Sequence, residues 1–254
     1  MTNPAEPQGS ASEHTSAIER AVNQIRENIA KIIDKANAAI ENANSNWFLL
    51  SPAVKLWITR SINKFKEALD KILEYAREVL AHYTPVLSLI DTSFHWLNGV
   101  KKPVSNLSSV VAQHRNRNLA YWEGGTASYY NDKVVPPQKE GVDALAAKAG
   151  FISEWLYGIA MANVNFVTEL STVVGRILGE ITAAALEAAT IIDIPWAIDR
   201  LAAAVGALVE TGVNTMLSIV KRIVEAGENV RKTVSDRVDY GKFPNGAWPQ
   251  AVTG

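Results

Sequence analysis

The sequence lacks cysteine altogether, and it has no excess of charge of either sign. Without cysteine there can be no disulfide, no thiolate metal site and no cysteine nucleophile. The 25 lysine and arginine residues almost match the 26 aspartate and glutamate residues, which leaves a formal charge of -1. Such a balance gives no electrostatic reason to expect nucleic acid as a partner.

Long apolar runs and targeting signals are missing as well. The longest stretch without Asp, Glu, Lys or Arg runs from Trp155 to Thr168, which is shorter than the roughly 20 apolar residues that cross a bilayer. The N-terminus is polar and has no basic segment followed by an apolar one, as a cleaved signal peptide would have. The sequence therefore predicts no transmembrane helix and no general secretion through a cleaved leader.

Motifs that carry chemistry are also absent from the sequence. The four histidines, His14, His82, His95 and His114, are scattered and do not form a His-Glu-x-x-His pair. There is no Gly-rich loop of the phosphate-binding type and no Gly-x-Ser-x-Gly nucleophile elbow. Because the candidate interior positions are Ile, Val, Leu and Ala, they lack the carboxylates of a di-iron bundle. We therefore expect a protein that is not an enzyme and that binds no metal and no cofactor.

Two long apolar seams dominate the first third of the chain. Apolar residues spaced alternately four and three apart run from Ile18 to Trp47 and from Val54 to Tyr83, a pattern typical of coiled-coil-like helices. A capping box of Ser16 and Glu19 and the Asn-rich stretch 42–46 predict the ends of the first helix, and Ser51-Pro52 predicts the start of the second. The matched lengths predict an antiparallel hairpin.

Later signals mark further helices and their ends. Thr84-Pro85 predicts the start of a short helix that stops at Asn98-Gly99, and Pro136-Pro137 predicts a break or a kink. From Gly141 to about Val238 the chain is rich in Ala, Leu, Val and Ile at helical spacing, with a joint at Asp193-Ile194-Pro195. This part predicts a further hairpin.

No segment has the pattern of a β-strand, so the sequence predicts an all-α fold, an elongated antiparallel bundle with long helical hairpins. Four consecutive segments follow from the patterns. They are a disordered N-terminus at 1–14, a coiled-coil-like helical hairpin with a short helix at 15–103, a helix-turn-helix continued by an Ala-rich hairpin at 104–240, and a non-helical tail at 241–254 whose Phe243 and Trp248 anchor on the bundle.

The run Trp122-Glu123-Gly124 lies between two predicted helices and is followed by Ala127 and Tyr130. This arrangement resembles the Trp-x-Gly turn of the WXG (ESAT-like) superfamily of type VII secretion substrates, which are helical hairpins exported by actinobacteria and firmicutes. The likeness covers about residues 104–160 and is greatest to the longer actinobacterial members. The turn needs Gly124 where the backbone takes an unusual conformation, and Trp122 can lay its ring over the crossing helices.

The resemblance implies a non-enzymatic helical protein that is exported by, or associated with, a type VII (ESX-like) secretion system. The family's export signal is a tyrosine with an acidic residue four positions later, and none of the seven tyrosines here has one. Since such proteins often travel as heterodimers in which one member carries the signal, the resemblance implies a helical partner, in a hetero- or homo-oligomer, or the secretion machinery itself. The expected location is outside the cell or in the envelope, with the cytoplasm as the alternative.

Two other functions stay open at this point. In one, the hairpin from about Val164 to Val224 inserts into a membrane and forms a pore. In the other, the chain is a helical adaptor among cytosolic proteins. The candidate face for a partner or a membrane consists of Ile177, Ile181, Leu201, Val205 and Leu208.

Overall fold

The computed structural model describes residues 9–45, 48, 50–112, 121–187, 194–236 and 242. Over this part of the chain the backbone is almost entirely helical and contains no strand, which confirms the predicted all-α class. The α-helices are α1 (Ala11–Ser45), α2 (Pro52–His82), α3 (Thr84–His95), α4 (Lys102–Ala112), α5 (Gly125–Tyr129), α6 (Val135–Glu187) and α7 (Ile194–Asp236).

The starts of α2 and α3 follow the predicted signals. Ser51 is the N-cap of α2, where its hydroxyl accepts a hydrogen bond from the Val54 backbone N–H at 3.4 Å, and Pro52 occupies the first helical position. α3 begins at Thr84 with Pro85 behind it. A proline is favoured there because the first N–H groups of a helix have no partner inside the helix.

The predicted start of α1 is wrong, whereas its predicted end is confirmed. α1 begins at Ala11, so Ser16 lies inside the helix and its carbonyl accepts a hydrogen bond from Arg20 Nε at 3.2 Å. Residues 11–14, assigned above to a disordered N-terminus, are therefore helical, and residues 1–8 lie outside the described part. α1 ends at Ser45, within the Asn-rich stretch.

Two π-helical segments replace interruptions that the sequence predicted. The stop expected at Asn98-Gly99 is wrong, because the π-helical segment Trp96–Lys101 joins α3 directly to α4. A Cβ on Gly99 would lie only 3.1 Å from the His95 ring. The π-helical turn thus brings the His95 ring close to residue 99. Glycine leaves room for this ring because it has no side chain.

The break expected at Pro136-Pro137 is also wrong. The π-helical segment Tyr130–Val134 leads straight into α6, and the Val135 N–H donates to the Tyr130 carbonyl. Both prolines lie in the first turn of α6. Proline damages a helix by its missing N–H and by its contact with the carbonyl four residues earlier. The wider π turn moves that carbonyl away and lets the helical path continue.

The joint predicted before α7 is confirmed in the part that is described. α6 ends at Glu187, and α7 begins at Ile194 with Pro195 in its first turn. Asp193, the predicted cap, lies outside the described residues, as do Phe243 and Trp248 of the predicted tail.

The chain divides into two compact units, each made of separated stretches. The first unit consists of Met1–Ala11, Ser88–Ala160 and Val224–Gly254, and the second of Ser12–Leu87 and Met161–Ile223. The division falls within α3, α6 and α7 and after the first residue of α1. These units reflect spatial contacts, whereas the four segments of the sequence analysis were consecutive stretches of chain, and those segments stay a prediction.

The core of the second unit is built from the predicted apolar seams. Four helices contribute side chains that are fully or almost fully buried, namely Ile18, Val22, Ile25 and Ile32 of α1, Ile58, Phe65, Ile72 and Ala76 of α2, Leu170, Ile177 and Ile181 of α6, and Leu201 and Val205 of α7. Burial of apolar area at about 25 cal/mol per Å² is the main force that holds such helices together. Each seam is therefore covered by its neighbours.

Specific polar contacts fix the registers between helices of the second unit. The Ser61 hydroxyl on α2 donates to Asp199 Oδ1 on α7 at 2.6 Å, and the Ser171 hydroxyl on α6 donates to Gln24 Oε1 on α1 at 3.1 Å. Because Ser61 and Ser171 are buried, losing either partner would leave a polar group without its hydrogen bond.

In the first unit a buried serine also links two helices through a hydrogen bond. The Ser153 hydroxyl on α6 donates to the Ser93 carbonyl on α3 at 2.7 Å. The Ser93 hydroxyl itself donates to the Ile90 carbonyl, also at 2.7 Å. Beside them the rings of Phe94 and Tyr157 meet edge to face, with centroids 6.0 Å apart. The Ser153 hydroxyl and one aromatic pair thus join α3 to α6.

Gly212 provides a test of how closely α6 and α7 approach each other. A Cβ at Gly212 would lie 2.8 Å from Val173 Cγ2, and the branched Val173 side chain has little rotamer freedom in a helix. We expect Gly212→Ala to be less stable than Gly206→Ala by about 1–3 kcal/mol through overpacking. Gly206 is the matched control because it lies on the same helix and a Cβ there meets nothing within 4 Å. Urea unfolding followed by circular dichroism measures the difference, and equal stabilities would show that the helices are not in close contact here.

Candidate functional site

The predicted Trp-Glu-Gly turn is a real change of direction that depends on its glycine. Gly124 has φ +100° and ψ -179°, a combination that is open essentially to glycine alone, and it is the N-cap residue of α5. Its carbonyl accepts a hydrogen bond from the Ser128 N–H at 3.0 Å, which closes the first turn of that helix. The predicted need for glycine at this position is therefore confirmed.

The structure brings the three residues of the predicted motif together. Trp122 and Tyr130 lie on either side of Gly124 in sequence, and their ring centroids are 5.5 Å apart at an interplanar angle of 52°. Trp122 nevertheless keeps 40% of its surface exposed. The ring thus packs on Tyr130, within its own turn, and part of it stays accessible from outside.

Large apolar side chains are exposed before and after this turn in the sequence. Tyr121 is 90% exposed, and Tyr129 is also exposed. On α4, Leu107 and Val110 lie three residues apart, which places them on one helix face, and both are exposed. An exposed apolar group of this kind marks a binding surface more often than an isolated exposed leucine does. We call Leu107, Val110, Tyr121 and Tyr129 the turn surface.

Helix α4 exposes large apolar side chains that an ordinary amphipathic helix would bury. Ser108 is buried on α4, and Val104 and Val111 on the same helix face are half-buried, whereas Leu107 and Val110 are exposed. Ser108 forms a side-chain hydrogen bond with Asp143 on α6. The Ser108 face is therefore the inner side of α4, and Leu107 and Val110 are directed outward.

Asp143 is the described carboxylate whose titration is most clearly perturbed. Hydrogen bonds from Lys139 and from Ser108 hold its pKa below the ordinary value, with the Lys139 Nζ atom 2.7 Å from Oδ2. Because the folded-state pKa is below the unfolded one, these contacts stabilise the fold at pH values above the unfolded pKa. Their contribution is lost as the pH falls through the folded pKa.

The second predicted surface is not a surface in this structure. The side chains of Ile177, Ile181, Leu201 and Val205 are buried in the second unit, and Leu208 is half-buried. The prediction of an available apolar face at these five residues is therefore corrected. Their spacing is that of any amphipathic helix, and the covering helices are contributed by the same chain.

A cavity of about 300 Å³ lies within the second unit, and sequence reasoning missed it. Its walls come from the end of α2, the start of α3, α6 and α7, and they include Val79, Val86 and Phe166 with the polar side chains of Tyr75 and Asn163. No single segment of sequence marks such a space, because it arises where four helices meet.

Among the described residues there is no cluster of three or more His, Asp or Glu side chains that would hold a metal ion. In the same part of the chain, none of the helices is both long enough and apolar enough to cross a bilayer.

Gly124 offers a direct test of the turn. A Cβ at Gly124 or at Gly125 would meet no atom within 4 Å, yet only Gly124 has a positive φ. We therefore expect Gly124→Ala to lower the free energy of unfolding by about 1–3 kcal/mol through backbone strain, and Gly125→Ala to change it by less. Chemical denaturation of both variants measures this, and equal effects would contradict the conformation assigned to Gly124.

No protein-family model matches this chain, and neither a curated protein nor a solved structure matches it. The membership expected from the Trp-Glu-Gly turn therefore stays a prediction, and the function has to be argued from the residues and their geometry.

Proposed function

We propose that this chain is a non-enzymatic helical protein that acts by binding a helical partner, and that it is exported by or associated with a type VII secretion system. The observation that carries the proposal is the exposed apolar pair on α4, the helix that precedes the Trp-Glu-Gly turn in the sequence. Leu107 and Val110 are exposed there, although Ser108 between them is buried. An apolar helix face left open by the fold is the kind of surface that a second amphipathic helix covers.

The turn itself supports the second half of the proposal. Gly124 has the glycine-only conformation expected of a Trp-x-Gly turn, and Trp122 and Tyr130 are in ring contact across it. The same stretch of chain thus combines the residues that resemble the WXG superfamily with the exposed apolar side chains. A secretion partner that carries the missing tyrosine-acid signal would bind at the turn surface.

The proposed architecture is an elongated antiparallel bundle with long helical hairpins. Two contacts between α1 and α2 support this arrangement. The Arg26 guanidinium carbon on α1 lies 5.8 Å from the ring centroid of Tyr83, just after α2. Ile40 near the end of α1 packs against the cluster formed by Ile58 and Ile62 near the start of α2 and Ile198 of α7. Later residues of α1 thus pair with earlier residues of α2, as in an antiparallel hairpin.

Pairs of introduced cysteines test the hairpin in a chain that has none of its own. We expect Arg26→Cys with Tyr83→Cys to be joined by a thiol-reactive cross-linker, because the two native side chains reach each other but two cysteines are too short to bridge that span directly. Arg26→Cys with Glu67→Cys is the control, since residue 67 would face residue 26 only in a parallel pair of helices. Mass spectrometry of the cross-linked proteins gives the answer, and preferential linkage of the 26/67 pair would contradict the antiparallel arrangement.

Fractionation of the native host tests the secretion role. We expect the protein in the envelope or the culture filtrate of the wild-type strain, and its loss from those fractions when the type VII ATPase is disabled, because that ATPase drives export of a substrate together with its partner. A cytosolic protein serves as the control for lysis. An unchanged distribution in the disabled strain would contradict the secretion role.

The partner role is tested by co-expression with each small helical protein that the host encodes near this chain, followed by size-exclusion chromatography with light scattering. We expect a stable complex, and we expect Leu107→Glu to weaken it at least about tenfold, because a charge would be placed in an apolar contact. Leu56→Glu is the matched control, since Leu56 is exposed to a similar degree and lies in the other unit. No complex, or equal effects of both variants, would contradict binding at the turn surface.

A further inference from the structure

A second group of apolar side chains, all exposed except the half-buried Trp57, lies near the starts of α2 and α7 in the second unit. Phe48 precedes α2, Leu56 and Trp57 lie in its first turns, and Trp196 lies in the first turn of α7. Phe48 is 77% exposed, Trp196 60% and Leu56 55%. The Trp196 ring meets the Trp57 ring edge to face, with centroids 4.9 Å apart at 83°. We call Phe48, Leu56, Trp57 and Trp196 the aromatic end.

The aromatic end rests on a fixed base. Ile58 and Ile62, which follow Trp57 in α2, form a buried cluster with Ile198, which lies two residues after Trp196 in α7. Leu50 and Val54 pack against this cluster. The hydrogen bond from Ser61 to Asp199 holds the same two helices at 2.6 Å. A packed base thus lies next to the exposed side chains of Leu56 and Trp196.

Basic residues predominate in the sequence around the aromatic end. Between Glu41 and Glu67 the chain carries Lys55, Arg60, Lys64 and Lys66 and no acidic residue. Arg60 follows Leu56 by four residues and Trp57 by three, so it shares a helix face with both, and it is exposed. On α7, Asp199 and Arg200 cancel each other in charge.

The helix dipole adds to this positive potential. α2 has no acidic residue in its first turn, although Asp or Glu is favoured at that place because it offsets the partial positive charge of a helix N-terminus. At the start of α2 that partial charge therefore adds to the charge of the basic side chains. The aromatic end is an apolar patch with a cationic border.

We propose that the aromatic end docks this protein onto the surface of a bilayer that contains anionic phospholipid. Tryptophan and phenylalanine side chains favour the boundary between headgroups and acyl chains, and basic side chains beside them are attracted by anionic headgroups. The patch covers the starts of two helices, whereas a helical partner binds along a groove. The rings enter the interfacial layer, and the helices do not span the membrane.

This inference is independent of the proposed function, because the two rest on different units of the chain. The aromatic end lies in the second unit and the turn surface in the first. A matched pair of leucines therefore separates them. Leu56 is 55% exposed at the aromatic end, and Leu107 is 52% exposed at the turn surface.

Flotation of the full-length protein with vesicles tests the proposal. We expect it to float with vesicles of phosphatidylcholine and phosphatidylglycerol, and at least about tenfold less with vesicles of phosphatidylcholine alone, because the attraction depends on lipid charge. We expect Leu56→Glu to reduce binding to the mixed vesicles at least about tenfold, because it places an acidic group at the bilayer interface, and Leu107→Glu to leave it unchanged. Added salt should weaken the binding.

A second variant keeps the test decisive if Leu56→Glu fails to fold, as judged by circular dichroism. Arg60→Gln removes one charge from an exposed position and should lower binding to the mixed vesicles several-fold. The proposal is overturned if the wild-type protein does not float with the mixed vesicles, if both leucine variants bind equally, or if both lipids bind equally.

Two further outcomes would assign the aromatic end differently. Release of a dye trapped in the vesicles would show insertion rather than docking at the surface. An oligomer in light scattering that Leu56→Glu dissociates, together with no vesicle binding, would show that a second copy of the chain covers the patch. Either result would overturn the proposal.

Discussion

The need to cover the apolar seams of long helices is the constraint on which the rest of this structure depends. The chain contains no cysteine, so no covalent cross-link between helices contributes to its stability. The isoleucines along α1 and α2 and the aliphatic residues of α6 and α7 are buried against one another. Because hydrophobic burial is non-directional, it brings these helices together but does not by itself set their register.

Small and polar residues set the register that the apolar seams leave open. Ser61 on α2 and Ser171 on α6 are buried, and each is satisfied by one partner on another helix, Asp199 and Gln24 respectively. Gly212 allows α7 to approach Val173 so closely that a methyl group would not fit. Since a buried hydroxyl without its partner costs more than an apolar contact slightly out of place, such residues favour one alignment over its neighbours.

At both proposed binding surfaces, apolar side chains are exposed although the helices that carry them are packed against other helices. At the turn surface, Leu107 and Val110 are exposed because the contact between Ser108 and Asp143 holds the other side of α4. At the aromatic end, Trp196 is exposed above a buried cluster of isoleucines. The two surfaces differ in their charges: from Lys55 to Lys66, every charged residue of α2 at the aromatic end is basic, which favours a lipid surface there.

Local patterns in the sequence determined the all-α class, the seams of α1 and α2, the cap at Ser51 and the need for glycine at position 124. These depend on interactions over a few residues, such as helical spacing, capping and the φ angle of one residue. The stops expected at Asn98-Gly99 and Pro136-Pro137 were wrong. At each place a π-helical segment lets the helix continue where a regular α-helix was expected to end.

Which apolar residues face outward was decided only by the tertiary structure. The face expected at Ile177, Ile181, Leu201 and Val205 is buried, whereas Leu107, Val110 and Trp196 are exposed. The two groups look alike in sequence, since a helical apolar stripe has the same spacing whether a neighbouring helix of the same chain or an external partner covers it. Only the packing of helices that are distant in sequence determines which stripes are already covered.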